Sequence, residues 1–336
     1  MSQAALVSWA AVVAGSAGLS AGLILVLKPL LVRYVLAHPN DRSSHAAATP
    51  QGAGLAVMAS LLIVSIAALL VGVTAPPPSL VPVLAGAALL TVIGAVDDAH
   101  ALPVAWRLVG EAMIAAAIVL TLPQELRLLP ELLPLMVERI LMVVGVIWFV
   151  NAINFLDGLD WMTVAQVVPI TLGVAILQGL GVVPPNVGLL ALALLGATLG
   201  FAVFNKHPAQ IFLGDAGSLP IGLCLAYMLI YVAEAHLVSG LLLALYSLTD
   251  ATATLLRRAV NGEQILSAHR THFYQRAAVQ GVSVPQVTAR VFGLGLVLMG
   301  LAIAAALTHS LAPDIVLFGL GAAATGFVLF NFTRGR

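Results

Sequence analysis

Eleven apolar runs, each bounded by a short polar stretch, organise this sequence. They lie at about 5–27, 52–74, 80–96, 108–122, 139–152, 161–180, 187–204, 217–233, 237–256, 291–308 and 314–331. Runs of roughly 17–25 apolar residues suit the hydrocarbon thickness of a bilayer when coiled as helices. These are too long and too evenly apolar for the alternating strands of a barrel, and backbone amides in lipid must be paired within their own segment. The pattern predicts an all-α, polytopic integral membrane protein with about 11 transmembrane helices, or 10 if the short fourth and fifth runs do not both cross. Abundant Gly and Ala in these runs allow close helix packing and permit a homodimer.

Composition agrees: 61% of the 336 residues are hydrophobic and only 8% charged, with a mean hydropathy of +1.08. That is far outside the soluble globular range. The first run has no basic segment before it and is long enough to cross, so it reads as a retained helix, not a cleaved signal. No repeat is evident and no stretch is left for a soluble domain, so residues 1–336 read as one membrane-embedded domain. The single cysteine, Cys224, excludes an internal disulfide or a cysteine-rich metal site.

Charge then orients the chain. Of 14 Lys and Arg residues, only Arg127 and Arg139 fall on one side of the predicted bundle. Basic residues favour the cytoplasmic side, which predicts the N-terminus outside and the C-terminus in the cytoplasm. Loops on the poorly charged side, such as "TAPPPS" and "GVVPPN", are short turns. The longer polar loops, at about 28–51, 97–107, 151–160, 205–216 and 257–290, all fall on the basic side with the aspartates and paired histidines. Any active site must be built from these loops and the adjoining helix ends.

Five stretches carry candidate chemistry. In "GAVDDAHALP" Asp97 and Asp98 are adjacent; neighbouring carboxylates repel, which suits them to a metal or to proton abstraction, although a solvated span end is the plainer reading. In "NAINFLDGLDWM" Asn151, Asn154, Asp157 and Asp160 recur at spacings of three, but Gly158 breaks a helix, so a polar lip is the expectation. In "IFLGDAGSLP" a turn leads into the eighth run with Asp215 or Ser218 available as N-cap, or with Asp215 holding the cation that accompanies a phosphate. In "AHRTHFYQR" His269, Arg270 and His272 suggest phosphate binding, and zinc is the weaker idea because no cysteine accompanies them. In "DRSSHAAATPQGAG" Arg42, Ser43, Ser44 and His45 could donate to an anion, while "TPQGAG" reads as a flexible turn.

Taken together and in this order, these motifs resemble the polyprenyl-phosphate N-acetylhexosamine-1-phosphate transferases, and "RSSH" with "HFYQR" looks most like their O-antigen and capsule-initiating branch. The resemblance runs from about Lys28 to Gly281. It implies a bacterial inner-membrane, multi-pass enzyme. Undecaprenyl phosphate would attack the sugar-linked phosphorus of a UDP-N-acetylhexosamine, releasing UMP. UDP-GlcNAc is the default donor, with UDP-GalNAc and 6-deoxy N-acetylhexosamines as alternatives; membrane lipids surround the protein and no nucleic acid is implied. The family chemistry needs Mg²⁺, with Mn²⁺ as a substitute. By matching positions, Asp215 and Asp98 would be the metal residues, and Asp97, Asp98, Asp157 and Asp215 the catalytic ones. Asp97 would deprotonate or orient the lipid phosphate. Arg42, His45, Asn151, Asn154, Asp160, His269, Arg270 and His272 would bind substrate.

The chain departs from the family pattern at three places. Gln51 and Ala53 stand in "TPQGAG" where relatives read "TPRGGG", Ala99 and His100 follow the aspartate pair where relatives carry a basic residue, and Trp161 replaces the last glycine of "DGIDG". Two other classes compete with the enzyme. A secondary transporter would use the acids for ion coupling, and a silent relative would serve as an assembly scaffold.

Overall fold

In the computed structural model, which describes residues 3–34, 36–37, 49–74, 79–264, 269–308 and 310–335, every apolar run becomes a helix. In order these are α1 (Gln3–Tyr34), α2 (Gly54–Leu70), α3 (Leu80–Ala99), α4 (Val104–Thr121), α5 (Leu135–Phe155), α6 (Met162–Gly179), α7 (Pro185–Asn205), α8 (Asp215–Ala235), α9 (Leu237–Val260), α10 (Phe273–Val279), α11 (Val284–Ala306) and α12 (Leu311–Thr333). Ten are long and apolar enough to cross a membrane, and α2 is a shorter apolar helix of 17 residues. The protein is an all-α polytopic membrane protein, as the apolar pattern predicts. The seven-residue α10 is extra, folded from the polar stretch before α11. α11 starts earlier than the apolar run because Ser283 and Gln286 form a capping box and Pro285 fits the first turn.

Burial sorts the helices. α7 and α8 are apolar on every side and almost wholly enclosed, as expected of helices surrounded by other helices. α8 packs against α2, α3, α5 and α9, and α1 lies along α7. α1, α4, α11 and α12 are peripheral and expose large apolar side chains such as Leu25, Met113, Val297 and Phe327. Two crossings at α8 depend on a missing side chain. A Cβ on Gly94 of α3 would enter the backbone of Asp215, and one on Gly54 of α2 would enter that of Gly217.

Two short strands, β1 (Leu36–Ala37) and β2 (Thr49–Pro50), pair antiparallel. Beyond β2 the "TPQGAG" stretch is not the flexible turn expected. Its backbone is zipped to the buried segment before α8: Phe212 N–H donates to Pro50 O (2.9 Å), while Gly52 and Ala53 N–H donate to Phe212 O and Gly54 N–H to Leu213 O (2.8 Å). The apolar Ile211 and Leu213 are buried here, and their segment needs backbone partners that this stretch supplies.

At the opposite end Arg127 and Arg139 are not free surface charges. Arg127 pairs with the buried Glu138 at 2.5 Å and donates to Leu133 O, and Arg139 donates to Pro123 O and Leu126 O. Both are spent on bracing the α4–α5 connection, which leaves the poorly charged end even less positive than the sequence count implies.

Candidate functional site

The site grows from the basic ends of α3, α4, α5 and α8. Asp97 and Asp98 belong to the last turn of α3, not to the following loop as the sequence pattern suggested. Being adjacent, they point to different partners. Asp98 accepts from the backbone N–H groups of Asp215 (2.9 Å) and Ala216 (3.1 Å) and from Gln51 Nε2 (2.5 Å). The cap of α8 is therefore an oxygen from another helix, where the sequence offered Asp215 or Ser218. The N-cap position itself is Gly214, which has no side chain to cap with. Gln51, one of the departures from the family pattern, completes this arrangement.

Freed from capping, Asp215 turns to the centre. Its Oδ2 lies 2.9 Å from Arg107 Nη1 and its Oδ1 accepts from Asn154 Nδ2 at 2.8 Å. Asp97 meets the same guanidinium nitrogen at 3.1 Å and accepts from Leu102 N–H at 2.6 Å. Arg107 also lies 3.5 Å from Glu111, one helical turn on along α4, and Glu111 in turn accepts from Asn151. α5 runs through Phe155, so Asn151 and Asn154 are helical and share a face, while Asp157 and Asp160 lie in the loop beyond.

Those two aspartates part company. Asp157 accepts from Thr163 Oγ1. Burial, followed by the negative charges of Asp215 and Asp98, pushes its carboxyl up to about 8 against the pull of that hydroxyl. Asp160 instead pins the 207–209 loop, pairing with His207 Nδ1 (2.6 Å) and Ala209 N–H (3.0 Å). The chain is not helical between the two aspartates, as Gly158 implied.

The histidine loop approaches α5 from the other side. His272 stacks on His269 at 5.0 Å and on Phe155 at 5.9 Å, next to Asn154. Tyr274 donates its hydroxyl to Phe155 O at 3.0 Å. Burial, with His272, Arg258 and Arg257 alongside, pushes His269 down to about 4, so it is neutral at pH 7. Positive charge in this loop comes from arginines, including the part-buried Arg270. Arg42 and His45 lie outside the described residues.

Arg107 and Glu111 were missed by sequence reasoning. Their signal was an Arg and a Glu four apart within the short fourth run, the spacing of an intrahelical pair, in a place where charges are costly. Trp161 now has a structural account. It starts α6 in the left-handed region (φ 63°), where a glycine is favoured. Its N–H donates to Asn205 Oδ1 and its indole Nε1 to Ala202 O, each at 2.7 Å, tying α6 to the end of α7. Trp161→Gly is expected to be more stable than Trp161→Ala by about 1 kcal/mol, since both lose the indole but only glycine relieves the backbone. The reverse order in thermal melts would remove that explanation.

Comparison with known proteins converges on the same region. Residues 80–233, which hold every member of the acidic cluster, match glycosyl transferase family 4. Over these residues the chain is similar to that family. A probable undecaprenyl-phosphate N-acetylglucosaminyl 1-phosphate transferase of Bacillus subtilis is 25% identical over 280 residues, 77% of this chain and 75% of that protein. Phospho-N-acetylmuramoyl-pentapeptide-transferases match more locally. That of Listeria welshimeri is 31% identical over 158 residues, 44% of this chain and 46% of its own length, and that of Oceanobacillus iheyensis is 47% identical over 73 residues, 21% and 22%. The chain thus spans less than half of those pentapeptide transferases.

Proposed function

We propose that the protein transfers N-acetylhexosamine-1-phosphate from a UDP-sugar to undecaprenyl phosphate at the cytoplasmic face, releasing UMP and starting a surface polysaccharide such as O-antigen. The observation that carries this is the meeting of Asp97, Asp215 and Asn154 around Arg107 within the family 4 region. The named Bacillus subtilis relative favours UDP-GlcNAc as donor.

The donor set fits a hard divalent cation. Asp97, Glu111 and Asp215 meet one arginine, and both substrates are anionic, so positive charge is short. Among the described residues no group of three or more His, Cys, Asp or Glu forms a ready cage. That suits Mg²⁺, which takes one or two carboxylates and completes its shell with water and substrate phosphates. Asp215 and Asp97 would hold it, and Asp98, with both oxygens given to α8, would fix Asp215 in place. Held by these residues, such an ion would supply charge neutralisation to the diphosphate and the departing UMP.

The remaining work falls to side chains. Arg107 offers a fork of donors to a phosphate, with Glu111 holding its orientation. Asn154 sets the Asp215 carboxylate, and the loop around His269, Arg270 and His272 faces the sugar-phosphate portion. Asp157, whose carboxyl burial raises toward neutrality, is suited to take the proton of a monoprotonated lipid phosphate before attack. The apolar groove between α5, α8 and α9, lined by Leu141, Phe149, Leu229 and Leu248, offers the polyprenyl chain an apolar bed.

Purified protein given undecaprenyl phosphate, Mg²⁺ and a panel of UDP-N-acetylhexosamines should release UMP and yield a lipid diphosphate sugar identified by mass. Silence with every donor would overturn the proposal. A carboxyl raised to about 8 is protonated and unable to act as base at lower pH, so kcat/KM should climb as pH rises through about 8. Asp157→Asn should flatten that limb and cost about 10²- to 10⁴-fold. An unchanged limb would assign the ionisation elsewhere.

A further inference from the structure

The α9 helix carries an anion that the acidic cluster does not use. Asp250 is wholly buried, in the apolar stretch "SLTDATATLL". Its carboxylate is bonded by backbone amides, a histidine and two hydroxyls. It receives the Phe273 N–H (3.1 Å) and Tyr274 N–H (3.4 Å) at the start of α10, and His272 Nδ1 at 3.2 Å. The hydroxyls of Thr254 (3.3 Å) and Tyr246 (3.4 Å) complete the set. Burying a carboxylate is costly unless it is bonded from several sides, and here two of the bonds fall on consecutive backbone amides immediately after the histidine.

We infer that Asp250 is a positioning residue for His272. Five donors converge on the carboxylate, so the shared bond is read with His272 Nδ1 as its donor. The two amide bonds stop the 272–274 segment from sliding along α9, and the Phe155 stack and the Tyr274 hydroxyl bond to Phe155 O carry that position to the end of α5 beside Asn154. Asp250 thereby aligns the histidine loop with the acidic cluster without itself touching substrate. The catalytic consequence rests on the transferase reading above; the orientation of His272 does not.

Two measurements test this separately. The first needs no turnover. In protein labelled with ¹⁵N-histidine and reconstituted in nanodiscs, the His272 signal, assigned by its loss in His272→Gln, should show a low-field, carboxylate-bonded Nδ1 proton. Asp250→Asn, which keeps the shape and an oxygen for the amides, should move that proton upfield; an unmoved signal overturns the inference whether or not the protein turns over. The second is a double-mutant cycle on UMP release. Asp250→Asn should lower kcat about 10- to 100-fold, as loss of a carboxylate that orients a histidine commonly does, with little change in the donor KM. In the His272→Gln background the same substitution should cost less than about two-fold. Additive losses, or a drop in melting temperature that accounts for the whole effect, would reduce Asp250 to a structural cap. A shifted proton without UMP release from any donor would leave the positioning intact and refute the transferase reading instead.

Discussion

Asp215→Asn is expected to lower UMP release by about 10³-fold while the protein still folds. The carboxylate lies between two donors, Arg107 Nη1 at 2.9 Å and Asn154 Nδ2 at 2.8 Å. Asparagine matches its shape but presents an amide to one of them, and it removes the charge that a divalent cation would need. The cap on α8 survives, because Asp98 bonds the backbone N–H of residue 215 and not its side chain. The experiment compares UMP release and thermal melting of the variant and parent in the same lipid. Undiminished release would favour the scaffold reading over the enzyme, and a collapsed melt would make Asp215 a folding residue.

Gly94→Ala is expected to be the most damaging conservative change away from the charged side chains. The added methyl enters the carbonyl of Asp215 and the amide of Ala216, and neither can retreat, because Asp98 holds those same amides. Overpacking of this kind costs about 1–3 kcal/mol, and relief requires α3 and α8 to part at Asp98 and Asp215. Both melting temperature and UMP release should fall. Gly293→Ala on α11 is the control: a Cβ there meets nothing within 4 Å, so it should be neutral or stabilise by up to about 1 kcal/mol through helix propensity. Equal behaviour of the two variants would refute the crossing argument.

The helices were legible because lipid imposes one strong rule, a long apolar run for each crossing. The aspartates were legible because charges at span ends are few and costly. The break at Gly158 was legible too, and α5 does end at Phe155, but that Asp160 would turn to the 207–209 loop could not be read from spacing alone. Asp98 as the cap of α8 could not be read locally, since its partners lie in another helix. Asp250 and the Arg107–Glu111 pair were hidden by apolar surroundings, where a window average dilutes one or two charges. Trp161 shows the limit of motif matching. The motif called for a residue tolerant of positive φ, and the chain instead meets that conformation with a side chain held by Ala202 O.

The capping of α8 by α3 also fixes when the site can exist. Asp98 and the first amide it holds are 117 residues apart in the chain, and at about 5–20 residues per second the ribosome needs roughly 6–25 s to make what separates them. Through that interval α3 stands in the membrane with its acidic pair complete and no α8 to receive it. The junction of Asp98 with α8 is therefore made in one late event, when α8 enters the bundle, and a chain cut short before then lacks it.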